Sequence, residues 1–419
     1  MHEATRSQRV KHRGYRHALK LSINALTLLS LSVVFATNAY CGAREQAMRM
    51  HERLAGVPPS SDALAEMQLL IEQGDINEAA YIAMEHPAFY NATLKTWVAP
   101  WTNEAFDKFV PLNDYIATVI GMIRDDVDFR EVLSADILYV GDSELSLPAY
   151  STNNNNHYLA MEDAVVDLKA NLIRTTQSAV TNLPSEATAG IMTTRAAAKA
   201  FFKDGTNRAM FRFTLMNHMC TDLEGVADIS RPPDRIRQDV SRSPGGDSRL
   251  FHNNCVSCHS GMDPLAQAFA YYNYRYDVDS DPEGERGAIE YNDSDAVDPV
   301  TGTRVQEKYL INGNNFVHGF VTEDDSWDNY WREGVNFNLG WSSALPGSGQ
   351  GAKSMGQELA NSQQFAHCQV TKVFKEVCLR APQNNADREQ ISSMQAGFAA
   401  SGYKMKSVFA DAANYCKGE

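Results

Sequence analysis

Phe251-His252-Asn253-Asn254-Cys255-Val256-Ser257-Cys258-His259-Ser260-Gly261-Met262-Asp263-Pro264 holds the most specific pattern in the chain. Within it, Cys255-Val256-Ser257-Cys258-His259 is a Cys-x-x-Cys-His, the attachment sequence of c-type haem. The chemistry sets the spacing. Two thiols about one helical turn apart reach the two vinyl groups of one porphyrin, and the next imidazole turns to the iron as proximal ligand. A redox dithiol would need a βαβ context, which the flanking sequence lacks, and half a zinc site would need a second ligand pair nearby. A plain disulfide is the third alternative. The expectation is one covalent haem c held by Cys255, Cys258 and His259. After the motif, Gly261 reads as a sharp exit, Asp263 as a cap and Pro264 as the first turn of a helix over 265–272.

Outward from this stretch, most of the chain is left to other work. It has 419 residues, whereas a small haem domain needs only about 100. Residues 1–39 read as a secretory signal peptide. Arg6, Arg9, Lys11, Arg13, Arg16 and Lys20 precede an apolar run over 21–35, and Thr37-Asn38-Ala39 or Cys41-Gly42-Ala43 offers small residues for cleavage. The run is short for an uncleaved anchor, and Tyr40 stands where a lipoprotein site at Cys41 wants a small residue. No other segment is apolar enough to span a bilayer, so the mature chain is expected in the periplasm or secreted. Removing 1–39 takes away six basic residues and one acidic one, which carries the net charge from −14 to −19. Such a surface argues against nucleic acid or anionic lipid as partner and suits a basic redox protein.

The fold class expected is mainly α: a helical N-terminal domain over 44–230, then a c-type cytochrome-like helical domain over 231–419 with long irregular loops. Apolar spacing predicts helices over 43–54, 61–73, 76–85, 113–124, 129–138, 158–175, 193–219 with a break at Gly205, 355–379, 388–400 and 403–416. Ser151 to Asn156, with four consecutive asparagines, reads as a loop, and no strand pattern stands out. Asp279, Asp281, Glu283, Gly284 and Glu290 echo an EF-hand loop, but Arg286 stands where an apolar residue belongs, so the stretch reads as a solvated acidic loop. Gly347, Gly349 and Gly351 before Lys353 and Ser354 depart from phosphate-loop spacing, so nucleotide binding is rejected.

With Cys255 and Cys258 assigned to haem, Cys220, Cys368, Cys378 and Cys416 remain, plus Cys41 if it survives cleavage, and in an exported chain those four read as two disulfides with three possible pairings. If the last three helices run up and down, the end of the final one falls near Cys378. That favours Cys378–Cys416 and leaves Cys220 for Cys368; free buried thiols are the alternative. For the sixth iron ligand, Met262 and His252 are held close to His259 by the local chain. Met355, behind a glycine-rich loop, fits best, with His318 as runner-up and His367 and Met405 as surface or core residues.

At the haem motif the chain resembles the planctomycete-type cytochrome c proteins. Cys255 to Pro264 is similar to their Cys-x-x-Cys-His-x-x-Met-Asp-Pro site, and Ala268-Phe269-Ala270-Tyr271-Tyr272 to the aromatic helix after it. Met219-Cys220 and Arg231-Pro232-Pro233 are similar to elements preceding that site. Residues 359–368, 378–382 and 400–403 are similar to the C-terminal module, and 123–140 to the helical N-terminal one. The resemblance implies a helical exported cytochrome and supplies no substrate. The leading function is therefore an exported monohaem cytochrome passing single electrons to or from a protein partner, a secreted enzyme among the candidates. The alternatives are a haem-bearing binding or scaffold subunit of a secreted enzyme complex, or a peroxidase- or oxidase-like haem enzyme.

Overall fold

Helix caps set the boundaries of the first elements in the computed structural model, which describes residues 42–418. The expected signal segment and Cys41 lie outside the described residues. Helix α1 (Ala43–Ala55) stops at Gly56, φ 73°, and α2 (Ser61–Gln73) stops at Gly74, φ 89°, a left-handed conformation that glycine adopts without strain. Ser60 caps α2, its side chain accepting from the Ala63 N–H at 3.2 Å. Helix α3 (Ile76–Met84) follows, then α4 (Asp114–Arg124), whose first turn is capped by Asn113.

Next in order come α5 (Asn156–Asp163), α6 (Arg195–Phe201), α7 (Arg208–Thr214) and α8 (Val256–Ala266). The chain closes with α9 (Gly351–Ala360), α10 (Gln363–Cys378), α11 (Asn385–Ala400) and α12 (Met405–Cys416). Helix dominates, as expected.

Three short antiparallel strand pairs were not expected: β1 (Leu138–Gly141) with β2 (Leu172–Thr175), β3 (Tyr272–Arg275) with β4 (Ala288–Tyr291), and β5 (Ser326–Asp328) with β6 (Ser348–Gln350). They correct two helices. The one read over 129–138 is a 3-10 turn, Phe129–Leu133, leading into β1. The one read over 158–175 ends at Asp163, and Val165 turns left-handed at φ 49° before the chain reaches β2. The acidic stretch after β3 is the β3–β4 connection. There the carboxylates of Asp277 and Asp281 accept from backbone N–H groups of the loop itself.

A third correction is at 355–379, where Asn361 and Ser362 divide one expected helix into α9 and α10. Ser362 Oγ accepts from the Phe365 N–H at 3.1 Å and starts α10 afresh. A fourth is beside the motif. Gly261 makes no exit, and helix runs on through Pro264 to Ala266.

The N-terminal helices pack on the C-terminal ones, α1 and α3 against α12, and α12 against α10. Asn77 Nδ2 donates to Asp411 Oδ1 at 2.8 Å, and Arg53 to the Val377 carbonyl at 3.2 Å. One apolar core runs through Leu54, Trp97, Ile120, Phe211, Leu265, Phe365 and Phe409, so it crosses the boundary expected at 230/231. Both disulfides form with the expected pairing, Cys220–Cys368 and Cys378–Cys416. The first ties the two halves of the chain together.

Candidate haem site

The motif lies on a continuous helical stretch. A wide π-type turn, Phe251–Cys255, runs directly into α8. Continuity matters for the chemistry, because residues three and four apart on a helix share a face. Cys255, Cys258 and His259 therefore project together. All three are half-buried, and both cysteines are free thiols although they stand only three residues apart. Cys258 Sγ lies 3.7 Å from the Leu223 carbonyl, and burial pushes its thiol up, with Glu224 and Asp222 adding to the effect.

The same helical phase continues to Asp263, four residues beyond His259. Its carboxylate is fully buried, and His259 Nδ1 meets Asp263 Oδ1 at 3.0 Å. Arg208, the first residue of α7, donates from Nε to Asp263 Oδ1 at 2.6 Å and from Nη2 to Oδ2 at 3.0 Å. The Arg237 backbone N–H adds a bond at 3.2 Å. Through Nη1 and the shared Nη2, Arg208 also donates to Asp239, at 2.6 and 2.9 Å.

Burial alone would raise the Asp263 carboxyl, but Arg208 and His259 hold it well below the usual carboxylate range. Burial likewise works against the Arg208 charge, and Asp263 with Asp239 outweighs it. A charged carboxylate accepts, so Nδ1 carries a proton, and Nε2 is the ring nitrogen turned away from Asp263.

Glycine 261 allows this helix to sit close. A Cβ there would meet Trp331 Nε1 at 2.0 Å, so the residue marks an indole packed against the helix rather than a turn. On another side, the Asp228 N–H donates to the Ser257 carbonyl at 2.9 Å, and Asn336 Nδ2 to the Val226 carbonyl at 2.7 Å. The first bond ties the segment of Ile229 to the motif and the second ties the segment of Val335 and Phe337 to that one; the three side chains are 75%, 62% and 66% exposed. Under the motif, Ile236, Val240, Phe251 and Val256 form a small core of their own, against which Cys255 packs. Arg242 lies between Phe251 and Phe316, 4.8 and 4.5 Å from the ring centres.

Of the other candidates, Met355 is fully buried in the main core on α9. His318 is exposed, its ring 5.9 Å from Phe316. Met262 and Met405 are core residues, and His252 and His367 are exposed. Asp263 was read as a cap and is instead the partner of His259. The spacing of four was the available signal. Arg208 and Asp239, 55 and 24 residues before Asp263 in the chain, left no such signal.

The donor set fits a covalent haem: two free thiols one turn apart, and an imidazole oriented through Nδ1 with Nε2 open to a metal. Among the described residues no group of three or more His, Cys, Asp or Glu side chains is arranged to hold a bare metal ion. In comparisons with known proteins, the chain matches no family model, no curated protein and no solved structure.

Proposed function

We propose that the protein is an exported c-type cytochrome, of the planctomycete-type group its motif resembles, that carries one covalent haem and passes single electrons to or from a protein partner. The observation that carries this reading is the pair of free thiols of Cys255 and Cys258, one turn apart, beside an imidazole whose Nδ1 is already engaged by a buried carboxylate. The bound group would supply a one-electron ferric/ferrous couple. In this reading the chain's own residues do the rest. Cys255 and Cys258 fix the porphyrin edge, Asp263 holds the His259 tautomer, and Ile229, Val335 and Phe337 offer apolar surface that excludes water. The two disulfides favour an oxidising compartment. No helix among the described residues is long and apolar enough to cross a membrane. The acidic balance of the chain favours a basic partner.

One feature supports a second reading. A proximal imidazole bonded to a buried carboxylate also suits a haem enzyme that activates a bound oxidant, because electron density is pushed towards the metal. Spin state separates the two. Electron transfer predicts a six-coordinate low-spin spectrum and a reversible one-electron titration, whereas a high-spin resting spectrum would favour the enzyme. Met355→Leu adds the ligand arm. As a core residue Met355 tolerates this swap with the spin state unchanged, and conversion to high spin would identify it as the sixth ligand.

A further inference from the structure

The clamp behind His259 is more elaborate than a proximal ligand needs for orientation alone. A backbone carbonyl would fix the tautomer equally well. Instead Nδ1 faces a carboxylate that is 0% exposed and accepts at once from Arg208 Nε, Arg208 Nη2 and the Arg237 backbone. We propose that Asp263 is a positioning residue that sets how strongly His259 donates to the haem iron, and that Arg208, shared with Asp239, moderates that effect. The proposal rests on the haem reading.

The argument is one of competing donors. A carboxylate facing Nδ1–H lends the imidazole anionic character, which strengthens its donation and favours the ferric state. Each bond the carboxylate makes elsewhere weakens that pull. Arg208 takes two such bonds, and being cationic it withdraws most. Asp239, bonded to the adjacent Nη1–Nη2 edge of the same guanidinium at 2.6 and 2.9 Å, restrains Arg208 in turn. The row Asp239–Arg208–Asp263–His259 thus grades the charge that reaches the ligand. It is built from α7, α8 and the segment between them.

A purely structural clamp predicts something different. Loosening it by any substitution would let water reach the haem, and both variants would then shift the reduction potential the same way. The test uses the full haem-loaded chain with Asp263→Asn and Arg208→Gln, with haem content measured first by pyridine haemochrome. The expected result is opposite signs. The potential rises in Asp263→Asn, falls in Arg208→Gln, and returns towards wild type in Asp263→Glu. Shifts of one sign, or no shift in Asp263→Asn, would overturn the proposal while leaving the haem reading intact. A wild-type chain without haem would overturn the reading itself. Should either variant fail to load, the wild-type His259 Nδ1 proton decides by NMR: slow exchange with solvent and a downfield position are expected, and a rapidly exchanging proton contradicts the proposal.

Discussion

Asp325 is 8% exposed, and burial pushes its carboxyl up to about 6, with Arg304 offsetting only part of that. An unfolded aspartate ionises near 3.9. Between about pH 4 and 6 the folded chain therefore holds the proton more tightly than the unfolded one, and stability falls as pH rises through that window. Asp325→Asn removes the penalty. It is expected to stabilise the protein by about 2 kcal/mol at pH 7, with the gain shrinking towards zero near pH 4. Urea melts at the two pH values check this, and an equal gain at both would refute it. At this scale the motif was legible, because Cys-x-x-Cys-His is carried by adjacent residues. Asp263 was not, because Gly261 and Pro264 read as a break and hid its place one turn beyond His259. Arg208 joins the cluster only through the packing of α7 on α8, which no local pattern announces.

Helices that carry their own caps were legible as elements: Ser60 before α2, Asn113 before α4, and Gly56 and Gly74 after α1 and α2. The strands were not, since three or four residues show no usable alternation. Their register comes from pairing across the fold, as between Tyr139 and Arg174. The disulfides were legible because compartment, cysteine count and helix direction converged. The Cys378–Cys416 bridge joins the last turns of α10 and α12, two cysteines 38 positions apart in sequence. Closing a loop of that size restricts the unfolded chain by about 4 kcal/mol in the chain-entropy account. Replacing both cysteines by alanine is expected to lower stability by about 2–4 kcal/mol, read from the denaturation midpoint of the haem-loaded protein. An unchanged midpoint would mean that α10 and α12 hold that geometry without the bridge.

For the whole molecule, the mainly helical class was readable from the sequence. Composition and helical spacing pointed to a mainly helical exported chain. A boundary at 230/231 followed from the polar stretch before the motif, and the structure buries part of that stretch. Ile236 is fully buried, and the buried Arg237 donates to the Tyr309 carbonyl at 2.9 Å. The terminal helices meet in one core, so the helix that carries the motif is braced by both halves of the chain. All of the functional reading hangs on a covalent group at one helix face. The most direct measurement is haem content on the full chain, expressed in a host competent for cytochrome c maturation, after denaturing electrophoresis. The account predicts one haem per chain that survives denaturation and is lost when Cys255→Ala and Cys258→Ala are combined. A wild-type band without haem, or a haem that stays on the double variant, would contradict it.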